Sequence, residues 1–271
     1  MQNVTENSLD LINQGCALMA QQQYGQALEK FLLAQMDSPK YIDCYVNLGN
    51  VYSCLEKYDD ALENFKKALM LDEKSSTVLF DIGNIMYLKG DKVEAVKYYN
   101  KADECGNLTA DMYDVIAGLF IDEQDYVQAL RYINRAIKLD PMNGEYYLEK
   151  AKIFIDQQKA TEALETLHEL NKLLPDAYEA YDMLSEIYTI KKDYENAIGI
   201  VEKGLGRFPD DVNLAYLKLK VLTSFEKDMD ALSYVIHLKE TGAYYKRETD
   251  FALLEAMCIC VASCLLYTSP S

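Results

Sequence analysis

The stretch Tyr45-Val46-Asn47-Leu48-Gly49-Asn50-Val51-Tyr52, followed after a gap of five residues by Tyr58-Asp59-Asp60-Ala61, decides the fold. Its alanine is one of seven at an unbroken spacing of 34 residues: Ala27, Ala61, Ala95, Ala129, Ala163, Ala197 and Ala231. That spacing accommodates two helices and their turns and is too short for a domain with its own core. Such a pair cannot bury its apolar face alone and must stack on copies of itself. The expected class is an all-α solenoid of stacked antiparallel helix pairs, an extended surface before it is anything else.

The residues around each alanine have a packing reason. Twelve places earlier stand Gly15, Gly49, Gly83, Ala117, Ala151 and Ser185, all small, so two helices can approach closely where the small residue faces the alanine. Leu11, Tyr45, Leu79, Tyr113, Tyr147 and Tyr181, sixteen before the alanine, join Leu18, Tyr52, Met86, Phe120, Phe154 and Tyr188, nine before it, in the apolar stripe of a first helix. A second helix follows, carrying Phe31, Phe65, Tyr99, Ile133, Leu167 and Val201 four after the alanine. Pro39, Pro141, Pro175 and Pro209 stop it, since proline has no amide donor and clashes with the preceding turn.

This pattern resembles the tetratricopeptide repeat family, in one register from residue 8 to residue 245. The resemblance implies a right-handed superhelix whose repeats span 8–41, 42–75, 76–109, 110–143, 144–177, 178–211 and 212–245. The seventh departs from the pattern, with Leu219 at the small position, Ala215 for the aromatic and Ala243 for proline. Residues 246–263 read as the first helix of a truncated eighth repeat. The stretch Cys264-Leu265-Leu266-Tyr267-Thr268-Ser269-Pro270-Ser271 looks like a translated sequencing adapter and is set aside from fold reasoning.

Fifty per cent apolar residues supply the core that stacked helices need. No basic region precedes an apolar run at the start, so a cytoplasmic site is expected rather than a secreted one. The apolar run 251–267 contains Glu255 and ends in the suspected adapter, so no membrane span is expected. Cysteines at 16, 44, 54, 105, 258 and 260 form no paired framework, and reduced, packed thiols are expected. His168 and His237, the only histidines, lie 69 residues apart without a nucleophile beside them. Gly204-Leu205-Gly206 reads as the frayed end of a helix, not a phosphate loop. No enzyme, cofactor or metal site is expected.

The net charge of −17 informs once it is laid on helices. In the resembled family the first helices line a concave groove. There the fourth repeat offers Asp111, Asp114 and Asp122, the fifth Glu145, Glu149 and Asp156 with Lys152 opposing, and the sixth Glu179, Asp182 and Glu186. Arg131, Arg135 and Lys138 go to a second helix, away from the groove. Sign segregation on a concave surface focuses potential on a partner, so a Lys/Arg-rich peptide is expected there. An acidic protein also solvates its helix faces in this way, and that plainer account stays open.

The earlier repeats put Asn13, Asn47, Asn50 and Asn84 at groove positions. A side-chain amide both donates and accepts, so a ladder of them can bond an extended peptide's backbone, as in some grooves of this family. The family's chaperone-binding members clamp a terminal carboxylate with Lys and Arg, and the corresponding positions here carry Asn, Cys, Asp and Thr, so that partner is not expected. Nucleic acid is not expected either, because phosphates would meet their own sign. The expected role is a protein-interaction scaffold or adaptor. The alternatives are the regulatory arm of a longer enzyme, such as a glycosyltransferase or kinase, and the arm of a transcriptional regulator.

Overall fold

The structure, a computed structural model, describes residues 4–268, with side chains described as far as Ile259. Residues 1–3 and 269–271 lie outside the description, and with them parts of the opening stretch and of the 264–271 stretch discussed above. The described residues form helices only. The first pairs are α1 (Glu6–Ala20) with α2 (Tyr24–Asp37), α3 (Ile42–Cys54) with α4 (Tyr58–Leu71) and α5 (Ser76–Leu88) with α6 (Lys92–Cys105). Then come α7 (Ala110–Asp122) and α8 (Tyr126–Leu139), α9 (Gly144–Asp156) and α10 (Ala160–Leu173), and α11 (Tyr178–Ile190) and α12 (Tyr194–Arg207). The pair α13 (Val212–Ser224) and α14 (Asp228–Glu240) precedes a 3-10 turn, Tyr244–Arg247, and α15 (Glu248–Thr268). Two compact bodies divide inside α7, between Ile116 and Ala117.

Every turn inside a pair is built alike. Gln22, Glu56, Gly90, Gln124, Gln158, Lys192 and Glu226, 34 apart, all have positive φ, from 56° at Glu226 to 83° at Gly90. Gln22 N–H donates to Met19 C=O and Gln23 N–H to Leu18 C=O, both at 2.9 Å, and the same two bonds recur in later turns. This Schellman pattern satisfies carbonyls that a helix end leaves without partners. Only the third repeat uses glycine there, so the others hold a side chain where L-residues enter at a cost.

All seven alanines of the period are 0% exposed, which makes this the innermost line of the core. The small residue twelve places earlier is not covered chiefly by the alanine, as expected, but by the side chain four places after it. A Cβ on Gly15 would stand 2.4 Å from Phe31 Cε1, and one on Gly83 2.6 Å from Tyr99 Cε1. The ring is the longer side chain and spans the gap between the two helices, leaving no volume for a methyl group. Where the first-helix residue is larger, the second-helix residue is smaller: Ala117 with Ile133, Ala151 with Leu167, Ser185 with Val201 and Leu219 with Val235, all buried. Leu219 therefore fits the rule once both helices are considered.

Between pairs, a second contact repeats. The hydroxyls of Tyr45, Tyr147 and Tyr181 donate to the carbonyls of Pro39, Pro141 and Pro175, at 2.9, 3.3 and 2.9 Å. Each tyrosine so pins the end of the preceding second helix. Tyr113, which follows a repeat without that proline, bonds Asp103 Oδ1 at 3.1 Å instead. Proline is not required for the stop: α4 ends at Leu71 before Glu73, and α6 ends at Cys105 before Gly106 and Asn107, both at positive φ.

One expectation is corrected. Gly204 is no frayed end; it is buried within α12, and a Cβ there would meet Tyr181 Cε1 at 3.0 Å and Leu214 Cδ1 at 3.1 Å. The last helix, α15, is preceded by the 3-10 turn Tyr244–Arg247 in place of the short connection between earlier pairs. Tyr244, in the longer connection, is buried, stacks on Phe251 at 5.6 Å and donates to Glu255 Oε2 at 2.7 Å.

Candidate peptide-binding faces

The groove candidates lie on first helices, and these approach one another within each body: α1 meets α3, and α13 meets both α11 and α15. In the first body the asparagines do not form a free ladder. Asn13 is exposed and Asn50 half-buried. Asn47 Nδ2 donates to Asp43 C=O at 2.8 Å while its Oδ1 faces Cys16 Sγ at 3.7 Å. Asn84 Oδ1 accepts from the Tyr99 hydroxyl at 2.7 Å, which gives a buried phenol its partner. Asp81, the counterpart of Asn47 one repeat on, is half-buried, and burial pushes its pKa up to about 7.

The carboxylates are divided between the bodies. Asp111, exposed, and Asp114, half-buried, belong to the first; Asp122, exposed at the end of α7, belongs to the second. On α9, Glu145 and Asp156 are exposed and Glu149 is half-buried; on α11, Glu179 and Glu186 are exposed and Asp182 is half-buried. Glu145 and Glu179 occupy first helical turns, where a negative charge also suits the helix dipole. Glu179, Asp182 and Glu186 share α11, and of the three Asp182 is the one with a contact to the neighbouring α13.

What α13 and the following turn add to that face was missed in the sequence reading. Lys220 Nζ lies 3.3 Å from Asp182 Oδ1. Arg247 lies across the same face: Nη1 donates to Asn213 Oδ1 at 3.1 Å, Nε donates to Asp250 Oδ2 at 2.6 Å, and Cζ stands 4.1 Å from the Tyr216 ring centroid. Burial alone would lower the Arg247 pKa, but the Asp250 hydrogen bond and the nearby Asp250, Tyr178 and Tyr216 charges raise it by more. The signal was in the register, since Asn213, Tyr216 and Lys220 stand 34 residues after Glu179, Asp182 and Glu186.

Among the described residues no group of three His, Cys, Asp or Glu could hold a metal ion, and no helix is long and apolar enough to cross a membrane. His168 Nε2 is 2.9 Å from the Tyr188 hydroxyl, and burial lowers its pKa. His237 stacks on Tyr234 at 6.1 Å. Each ring thus has a tyrosine as its neighbour.

Family models described as tetratricopeptide repeat match residues 42–75, 120–187 and 178–211. The chain is a tetratricopeptide repeat protein and, in that general sense, a protein-interaction scaffold. No curated protein matches it by sequence. Among solved structures, the C-terminal part of a repeat-containing protein from Cytophaga hutchinsonii is similar with a TM-score of 0.61 at 16% identity, covering 92% of this chain and 94% of that one. Pseudomonas aeruginosa pilF gives 0.58 at 16%, covering 77% and 95%. YrrB, described as having an unusual peptide-binding site, gives 0.52 at 23%, covering 68% and 95%. At these identities the likeness is one of fold.

Proposed function

We propose that this protein is an adaptor whose second body binds an extended, Lys/Arg-bearing segment of a partner protein along the first-helix face of α9, α11 and α13. The observation that carries the reading is the ion pair of Lys220 with Asp182: a cation from the chain itself settles against a carboxylate of α11. Glu145, Glu149 and Asp156 on α9 and Glu179 and Glu186 on α11 extend the same sign along neighbouring helices. Concave faces of one sign raise the local concentration of opposite charge. YrrB, with the same fold, has a peptide-binding site, which supports the choice of a peptide as ligand. Asp111 and Asp114 belong to the other body, as do the asparagines, two of which already bond within the chain. The described cysteines are free thiols, in keeping with action in the reducing cytoplasm.

The test is a peptide library panned on the full chain. Enrichment of segments with spaced Lys and Arg is the expected result. Enrichment of acidic or uncharged segments would overturn the reading and turn attention to Asn13 and Asn50 in the first body.

A further inference from the structure

The α11–α13 face already holds an arginine. Arg247 meets an aromatic plane (Tyr216, 4.1 Å), an amide oxygen (Asn213, 3.1 Å) and a carboxylate (Asp250, 2.6 Å), and its charge also acts on the Tyr178 phenol. Tyr178, Asn213 and Tyr216 come from α11 and α13, whereas Asp250 sits on α15 and accompanies Arg247. The first three are what a guanidinium from any source uses: a ring to stack on and oxygens to receive its fixed fork of N–H donors. An ammonium, with neither plane nor fork, would use less of the set.

We propose that Tyr178, Asn213 and Tyr216 form an arginine subsite of the groove, that Arg247 fills it in the free protein, and that an arginine of the bound partner takes its place. This rests on the reading of the groove as a site for basic segments.

Two features favour exchange over a fixed strut. Arg247 stands at the junction of the 3-10 turn and α15, and the packing of that junction is carried by Tyr244 and Phe251, both buried. The Arg247 side chain is 31% exposed, so it can swing into water, and Asp250 three residues on stays within its reach. Leaving the subsite therefore strands no charge.

The consequence is an internal competitor. A ligand arginine binds only the fraction of molecules in which Arg247 is out, so apparent affinity falls by that fraction; occupancy of roughly nine tenths weakens binding about tenfold.

The experiment measures binding of fluorescein-labelled nonapeptides to the full chain by anisotropy. One peptide carries two lysines and an arginine, a second has lysine in place of the arginine, and a third has citrulline there. Arg247→Ala should tighten the arginine peptide several-fold and leave the other two nearly unchanged, and adding Tyr216→Ala should abolish the gain. In the wild-type chain, the Arg247 Nε–H resonance should broaden or shift as the arginine peptide is added. Weaker or unchanged binding of the arginine peptide to Arg247→Ala, with the lysine peptide still bound, would overturn the subsite alone. No binding of any of these peptides to either chain would overturn the basic-segment reading beneath it. Should the Ala variant fail to fold, Arg247→Lys serves, with a smaller gain expected, and an Nε–H resonance indifferent to the arginine peptide would count against the proposal.

Discussion

The Cβ that Gly49 lacks would stand 2.4 Å from Cε1 of Phe65, a ring that is 1% exposed. Alanine ordinarily gains about 1 kcal/mol over glycine inside a helix. Here the ring is enclosed and cannot yield, and overpacking costs about 1 to 3 kcal/mol, so the steric effect wins. Gly49→Ala should lower the denaturation midpoint. Pairing it with Phe65→Ile, the combination that Ala117 and Ile133 use, should cost less than the two single changes added together. A double-mutant cycle in urea measures this, and strict additivity would show that the two positions do not share the space.

Tyr181 supplies the second recurring contact, its hydroxyl 2.9 Å from the Pro175 carbonyl. Tyr181→Phe keeps the buried ring and removes only the donor, leaving a helix-end carbonyl short of a partner. A loss of about 0.5 to 1.5 kcal/mol is expected, read as a lower melting temperature. Tyr52→Phe, at a half-buried tyrosine two turns after Tyr45 on α3, should lose less.

The seven left-handed turns give a test of opposite sign. Gln158 has φ 59°, so Gln158→Gly relieves a strained side chain and should stabilise by a few tenths to about 1 kcal/mol. Gly90, at φ 83°, should show the reverse on change to Ala. Chemical denaturation of both variants checks the pair.

The repeat was legible because an exact 34-residue period leaves little freedom in helix placement, and the alanines mark the tightest line of contact. What sequence reading missed came from treating each helix by itself. Leu219 looks irregular until Val235 on the facing helix is counted, and Asn84 looks available until the Tyr99 hydroxyl is seen to use it. The charge of the acidic face is not legible one helix at a time, because Lys220 and Arg247, one and two repeats further along the register, contribute to it.

Asp81 makes stability depend on pH. Its folded pKa of about 7 lies above the unfolded value near 3.8, so the folded state binds the proton more tightly. The contribution is fully present below about pH 4, falls as pH rises toward 7, and is gone above it. A shift of this size corresponds to about 4 kcal/mol in full, but the carboxyl still reaches solvent, and about 1 kcal/mol is the realistic scale. Asp81→Asn, the residue that Asn47 supplies one repeat earlier, should therefore stabilise the chain at pH 8 and do little at pH 4. Melting temperatures at the two pH values decide it, and equal effects at both would show that Asp81 titrates like a surface carboxylate.

The groove makes the remaining prediction. If Glu145, Glu179 and Glu186 draw a basic segment to the α9–α11 face, affinity must fall as salt rises, because these carboxylates are exposed and screened within about 10 Å at 0.1 M. Each exposed pair contributes only about 0 to 1 kcal/mol, so single changes are expected to be near noise. Reversing all three to Lys should weaken a lysine-containing peptide about tenfold at low salt, the equivalent of about 1.4 kcal/mol. Reversing Arg131 and Arg135 on α8, which lie over the Tyr132 ring of their own helix, should leave binding unchanged. Titrations at low and moderate salt separate the possibilities. A triple reversal that binds as tightly as the parent at low salt would mean that these carboxylates only solvate their helices, and that the cations already seated on α11 satisfy the charge that matters.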